Sequence, residues 1–378
     1  MVQHRRARRR SLVPVGAVVT AAGVAVAGGA WLWAWTDDSG SAGSRTAARA
    51  PADPRIRCEA RGQVSGSGSS AQHNAMKYWI EQYQRACPGV RIAYNPVGST
   101  AGVSQFMRGV TAFGGTDGAL KPEDIARTGP VCGGGRAVNL PTVGGPIAVG
   151  YNLTEVDDLI LDAPTLAKIF DSRITRWNDP AIRALNPAAR LPDLDIQSVH
   201  RSDGSGTTQN FTAYLSAAAP RQWTHPVSKS WPAEGGNSAD GSQSMAGAMT
   251  GTHGSIGYVE LSYATRGRIP TVRIDTGAAE PVAPNPGTAS AGIAGARITG
   301  KGRDLALRLD YATRTSGAYP IVLITYEVIC DRAALPALKS FLSYVVSEAG
   351  QEILPGIHYA PLPEKVATRV RAVVATLP

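Results

Sequence analysis

Hydrophobic and polar positions along residues 61–208 repeat one scheme. A short strand signal at Arg61–Val64 runs into SGSGSSAQHNAM, in which residues 65–70 are all Gly or Ser. Asn74–Ala86 then carries Met76, Trp79, Ile80 and Tyr83 at helical spacing and stops at Cys87-Pro88-Gly89. VRIAYNPV (90–97) reads as a strand by alternation and β-branching, and it enters GSTAGVSQFMRG (98–109), a second Gly/Ser turn opening a helix. TAFGGTDGAL (111–120) predicts a short strand ending at Thr116-Asp117. Strands alternating with helices argue for a mostly parallel sheet. Ligands of such sheets sit outside the carboxyl ends of the strands, so the turns near Ser70, Ser99 and Asp117 can converge on one cleft.

Further along, AVNLPTVGGPIAVGYNL (137–153) is a continuous apolar strand region with a Gly-Gly-Pro break, read as a crossover between domains. TLAKIFDSRITRWND (165–179) predicts a helix and turn, and IQSVHRSDGSGTT (196–208) predicts strand, turn and helix again. Residues 228–254 read as polar loop, GSIGYVELSYA (254–264) as a buried strand and second crossover, and residues 275–300 carry no strong period. YPIVLITYEVIC (319–330) predicts a long buried strand, and 335–354 and 362–377 predict amphipathic helices. The expected fold is α/β, with two lobes joined by a two-crossover hinge and a ligand cleft between them. Lobe I takes residues 62–146 and 259–378, and lobe II takes 147–258.

The stretch HRSDGSGTTQNF (200–211) concentrates the chemistry. Arg201 brings a permanent charge, Ser202, Ser205, Thr207 and Thr208 bring hydroxyls, and Gly204 and Gly206 allow a tight turn. A Gly/Ser turn opening a helix gathers unpaired backbone N–H groups at the positive end of the helix dipole, which suits an anion. Alone, such a turn is better read as a surface turn capped by Asp203 or Ser205 with Arg201 in solvent; the two similar clusters upstream turn the reading to the anion site.

Composition narrows the classes. The formal charge is +9, but residues 1–50 hold seven Arg against Asp37 and Asp38, a net of +5 that leaves +4 on the rest. No Lys/Arg stripe interleaved with aromatics follows, so nucleic acid is not an expected partner. MVQHRRARRR precedes an uncharged run, residues 11–35. Basic residues before an apolar run keep that end in the cytoplasm, so the remainder is expected to be exported. The run is long enough for an anchor, with Trp31, Trp33 and Trp35 as an interfacial belt. Ala25-Val26-Ala27 offers a cleavage site instead, and Arg8-Arg9 with Ser11-Leu12 resembles a twin-arginine signal. Residues 1–36 are thus a signal or signal-anchor and 37–61 a flexible tether. Localisation is expected to be extracytoplasmic, at a cell surface or in a periplasm, tethered or released by cleavage. Cys58, Cys87, Cys132 and Cys330 lack metal-ligand spacing, and in an exported chain they allow disulfides. Three connectivities are possible; we lean to Cys87 with Cys132, buried free thiols being the alternative.

Gathered together, Ser70, Ser99, Ser205 and Thr207 hydroxyls, helix-start N–H groups, Arg201, Asp117 and Asp203 suit a buried tetrahedral oxyanion. An acid in the site accepts a hydrogen bond from an anion that keeps a proton and repels one that keeps none, which favours phosphate over sulfate. Asp117 is the expected acceptor, with a helix N-cap as its alternative, and Asp203 is expected to hold Arg201. A serine hydrolase or phosphatase would need a base beside its nucleophile. Of the six His, His200 sits next to Arg201, and on a strand it would point to the opposite side. No metal cluster is present to activate water, so no enzyme, metal or cofactor is expected. A binder of sulfate or molybdate, or a phosphate sensor without a transporter, is the other rival.

The motifs GSGSSAQHNAM, GSTAGVSQF, FGGTDGAL, NLPTVGGPIAVGYNL, IFDSRITRWNDPAIRALNP, HRSDGSGTTQNFTAYLS, GSIGYVELSYA and YPIVLITYEVI, with the closing Leu-Pro segment, span about residues 62–378. With them the chain resembles the PstS family, the phosphate-binding proteins of the high-affinity ABC phosphate importer. The resemblance implies a two-lobed periplasmic-binding-protein-like fold that traps one phosphate. It implies phosphate contacts from Ser70, Ala71 through its backbone, Ser99, Asp117, Arg201, Ser205, Gly206 and Thr207, with Asp203 orienting the arginine. It implies inorganic phosphate and the importer's membrane permease and ATPase subunits as partners, and a monomer is expected. Thr116 stands where a Ser is usual, the lipid-bearing Cys of Gram-positive members is missing, and the stretch 228–253 is weakly matched, so no ligand is carried over from it.

Overall fold

The computed structural model describes residues 52–378; the expected signal or anchor segment and most of the tether lie outside the described residues. The tether does not extend to residue 61. Ile56 is buried, Cys58 is bridged to Cys87, and Arg55 pairs with Asp53 and Glu352. Among the described residues no helix is long and apolar enough to cross a membrane.

The expected alternation is present. It runs β1 (Gly62–Gly68), α1 (His73–Ala86), β2 (Val90–Asn95), α2 (Ser99–Met107), β3 (Phe113–Thr116) and α3 (Pro122–Ala126). The apolar face of α1 buries Ala75, Met76, Trp79 and Tyr83. Next come β4 (Ala137–Tyr151), β5 (Ile160–Asp162), α4 (Ala163–Phe170) and α5 (Pro180–Leu185). The predicted break at Gly144-Gly145-Pro146 does not interrupt β4, a 15-residue strand buried throughout. Then follow β6 (Gln197–Arg201), α6 (Gly206–Ala218), β7 (Asn237–Ala239), α7 (Gly241–Gly251), β8 (Ser255–Glu260) and α8 (Leu261–Arg266). The last part holds β9 (Arg273–Asp275), α9 (Pro286–Ile293), β10 (Arg297–Ile298), β11 (Leu307–Arg308), β12 (Val322–Cys330), α10 (Pro336–Val345), α11 (Glu348–Gln351) and α12 (Glu364–Ala375).

Eight strands form one sheet in the order β2-β1-β3-β12-β4-β8-β6-β7. β4 belongs to both halves: residues 137–146 pair with β12, and Ile147–Tyr151 pair with β8. β1, β2 and β3 run parallel to one another, with β12 antiparallel to both β3 and β4. β6, β7 and β8 run parallel to one another and antiparallel to β4. The two sets therefore point in opposite directions. Thr116, the end of β3, pairs with Tyr326, which pairs with Pro141; Glu260, the end of β8, pairs with Ile147. The carboxyl ends of both halves thus meet near the middle of β4, where such sheets hold their ligands.

Several expectations change. Residues 228–254 are not loop throughout but include β7 and α7. The residues after β8 form α8, because the Glu260 carboxylate accepts from Ser262 N–H at 3.0 Å and starts a helix where a strand was expected to continue. β9 pairs with β5, so Arg273–Asp275 lies beside residues of the expected second lobe rather than the first. The helix expected over 335–354 is broken after Val345, where Ser347 caps a new turn by accepting from Gly350 N–H at 3.2 Å. The pairing Cys87–Cys132 is wrong: the bridges are Cys58–Cys87 and Cys132–Cys330. β12 inserts between β3 and β4 with Cys330 opposite Ala137, which puts it beside the loop that carries Cys132.

Candidate functional site

Four short segments close around the middle of β4. From the first half come Ser69–Ala71 after β1, Gly98-Ser99 at the start of α2, and Thr116-Asp117 after β3; from the second comes Arg201–Thr207 between β6 and α6. Gly98 has φ +85°, and a Cβ there would lie 2.3 Å from Asp203 Oδ2, so this turn requires glycine to meet the opposite half.

Direct hydrogen bonds join the two halves. Ser99 Oγ accepts from Gly206 N–H at 3.1 Å and from Asp117 N–H at 3.3 Å. Thr100 N–H donates to Gly204 O at 2.9 Å, and Asn210 Nδ2 donates to Asp117 O at 2.7 Å. Ser70 Oγ accepts from Ser242 N–H at 3.1 Å and lies 2.9 Å from Ser242 Oγ. These bonds bring Ser99, Asp117 and Gly206 together and set Ser70 against Ser242.

Arg201 is not solvated; it is 2% exposed. Its Nε and Nη2 each donate to Asp203 at 2.5 Å, so one edge of the guanidinium is held and Nη1 lies outside the pair. Asp203 also accepts from Gly241 N–H at 3.2 Å. Burial would raise the Asp203 carboxyl, but the hydrogen bond and charge of Arg201 bring it below its ordinary value. Tyr258 OH accepts from Arg201 N–H at 3.2 Å and bonds Thr208 Oγ1 at 2.7 Å, which fixes the end of β6 to the first turn of α6.

Asp117 is 3% exposed and caps no helix. Its Oδ1 accepts from Ser69 Oγ at 2.6 Å and from Thr325 Oγ1 at 2.7 Å. Burial raises its pKa, opposed by those two hydroxyls and by the charges of Arg201 and Lys229. A Cβ at Gly206 would lie 2.7 Å from Asp117 Oδ2, so the second oxygen faces the first turn of α6. Ser205 does cap α6, accepting from Thr208 N–H at 3.2 Å, so the capping alternative and the site coexist. Thr207 Oγ1 is buried with no partner among the described residues. The backbone N–H of Ala71 is engaged locally, donating to Ser69 Oγ at 3.1 Å. Together these groups offer donors and one buried guanidinium to an anion and one acceptor to any proton the anion carries.

Four residues escaped the sequence reading. Ser69 and Thr325 hold Asp117. A β-bulge between Thr325 and Tyr326 interrupts the register beside Asp117, and a lone Thr in an apolar strand was its only signal. Ser242 and Lys229 both lie in the stretch read as loop.

Comparisons with known proteins agree with this architecture. The family model described as PBP superfamily domain matches residues 54–349. The phosphate-binding protein PstS 3 of Mycobacterium tuberculosis (strain ATCC 25618 / H37Rv) is 41% identical over 362 residues, covering 94% of this chain and 97% of its own. PstS of Xylella fastidiosa (strain Temecula1 / ATCC 700964) is 31% identical, covering 89% and 92%. Among solved structures, the phosphate binding protein from Stenotrophomonas maltophilia superposes with a TM-score of 0.64 at 17% identity, over 82% of this chain and 93% of its own. An ABC-type phosphate transport receptor from Vibrio cholerae gives 0.52 at 18% identity, over 79% and 100%. At such identities the structures speak for the fold alone.

Proposed function

The chain belongs to the PBP superfamily and, within it, to the PstS phosphate-binding proteins, and on that premise we propose that it captures inorganic phosphate between the two halves of its sheet and delivers it to an ABC importer for uptake. The observation that carries this reading is the meeting, in one buried place, of the Arg201–Asp203 pair and Asp117, with Ser99 bonded to both halves. The Ser70, Ser99, Ser205 and Thr207 hydroxyls act as the neutral donors, and the Ala71 and Gly206 N–H groups join them only by leaving Ser69 Oγ and Ser99 Oγ. Arg201 supplies the charge, Asp203 orients it, and Asp117 accepts the proton that phosphate keeps and sulfate lacks.

The cleft opens and closes about the middle of β4 and the β8–α8 junction, with β9 moving with the second lobe because it pairs with β5. The protein works outside the cytoplasm as a monomer, attached through its N-terminal segment or released from it, and meets permease and ATPase subunits. Binding rather than turnover is supported by the surroundings of the site serines: among the described residues none bonds a histidine, and the His200 ring stacks on Trp231 at 5.0 Å.

Calorimetric titration tests the reading. Inorganic phosphate should bind at one saturable site while sulfate gives no comparable heat, and hydrolysis of phosphate esters should be absent. Asp117→Asn should keep the fold and narrow the phosphate/sulfate preference by about tenfold or more, the worth of one hydrogen bond to a charged group. Equal affinity of the unaltered protein for both anions, or an unchanged preference in Asp117→Asn, would sink the role given to Asp117.

A further inference from the structure

Lys229 stands between the two halves without belonging to the expected phosphate contacts. It lies in the irregular stretch between α6 and β7 and is partly buried. Its backbone carbonyl accepts from Ser205 N–H at 2.9 Å, which fixes it to the cap of α6. Its Nζ crosses to the other half and donates to Thr116 Oγ1 at 3.2 Å, one residue before Asp117. The Thr116 hydroxyl is itself held by the next turn, donating to Gly118 O at 2.9 Å and accepting from Gly118 N–H at 3.3 Å. It is a fixed rest for the ammonium group.

Charge gives this contact its meaning. Arg201 is committed to Asp203, so that pair is close to neutral, and Asp117 remains as a buried carboxylate. An anion entering between these three side chains would meet a net negative charge. Lys229 brings the balance to zero, and its charge acts on Asp117. Burial lowers the Lys229 ammonium below its ordinary pKa, the charges of Asp117 and Asp124 oppose that fall, and Lys121 adds to it. The ammonium can reach Thr116 only while the two halves are together, because the two ends of the contact belong to different halves.

We propose that Lys229 is a positioning and charge-compensating residue of the anion cleft, which docks on Thr116 on closure and offsets Asp117 so that the closed site tolerates a phosphate anion. This rests on the phosphate reading above. The test is calorimetry with inorganic phosphate on the full chain, comparing unaltered protein, Lys229→Gln and Lys229→Arg at low and high salt. Lys229→Gln should bind about tenfold or more weakly at low salt, the gap should narrow as salt screens the charge, and Lys229→Arg should recover most of the loss. In an Asp117→Asn background, which has no carboxylate to offset, Lys229→Gln should cost much less. A Lys229→Gln variant within about twofold of the unaltered protein, or a loss that neither salt nor the Asp117→Asn background changes, overturns the proposal. Should Lys229→Gln fail to fold, judged by circular dichroism, a folded Lys229→Arg that binds more than tenfold more weakly than the unaltered protein would overturn it as well. Failure of the unaltered protein to bind phosphate would instead overturn the phosphate reading.

Discussion

The two walls of the cleft are built from the same parts and carry opposite chemistry. Each is a strand ending in a small-residue turn that opens a helix: β1 into α1 and β2 into α2 on one side, β6 into α6 on the other. The first wall offers Ser70 and Ser99 hydroxyls and the carboxyl group of Asp117, held by Ser69 and Thr325. The second offers a buried arginine held by Asp203 and the start of α6. On the proposed reading, attraction resides on the second wall and discrimination on the first. Neither alone makes a selective site, which is why hydrogen bonds across the gap, such as Gly206 N–H to Ser99 Oγ, matter.

The strongest way to break this division is to remove the charge of the second wall. Arg201→Met should weaken phosphate binding by roughly a thousandfold, about 4 kcal/mol. It should also destabilise the fold by about 3–5 kcal/mol, because Asp203 stays in a largely buried position without its partner. Arg201→Met with Asp203→Asn should recover much of the stability, read by urea unfolding, and none of the binding, read by calorimetry. Retention of binding within tenfold in Arg201→Met would mean that attraction does not reside on the second wall.

The first wall has an acidic backing that sharpens the contrast. Glu327 on β12 and Glu260 at the end of β8 are 0% exposed, and burial pushes each carboxyl up to about 8, with Asp117 adding to the rise. Among the described residues neither Glu327 oxygen has a hydrogen-bond partner, although the Gln72 side chain lies close enough to moderate the shift. A carboxyl whose folded pKa is raised binds its proton more tightly when folded. Its contribution is fully present below about 4.5 and is lost as pH rises through about 8. Each costs up to about 1.4 kcal/mol per pH unit across that window, less where the surroundings relax. Glu327→Gln should therefore gain stability over the unaltered protein as pH rises from 5 to 9, by about 2 kcal/mol or more. Urea midpoints that differ by the same amount at every pH would show that Glu327 is ionised throughout.

How much of this was legible differs between the walls. The turns at Ser70, Ser99, Asp117 and Ser205–Thr207 announced themselves because Gly/Ser turns between strand and helix are local patterns. What lay outside them depended on long-range topology. The insertion of β12 between β3 and β4 brings Thr325 to Asp117 and Cys330 to Cys132, and no local period encodes that neighbour. α7 was missed because GSQSMAGAMTG has few large residues, and only Met245 and Met249 give its buried face, with Ser242 and Ala246, any bulk. Lys229 sits in irregular chain, where only its placement against Thr116 gives it a role.

The smallest expected effect tests whether the walls act on one another through α7. A hydroxyl has one proton to donate and two lone pairs to accept with. Ser70 Oγ already accepts from Ser242 N–H, and Ser242 Oγ lies 2.9 Å away. If Ser242 Oγ also donates, the Ser70 proton is free to point at a bound anion, so a residue of the second half orients a donor of the first. Ser242→Ala keeps the backbone contact and loses only that orientation. Phosphate affinity should fall by about 1 kcal/mol, roughly fivefold, with the fold unchanged. The sharper measurement is a cycle of Ser70→Ala, Ser242→Ala and the double variant. Because Ser242 acts only through Ser70, its removal should cost nothing once Ser70 is gone, giving a coupling of about 1 kcal/mol. Additive losses would mean that Ser242 contributes independently and that the two walls meet there without one steering the other.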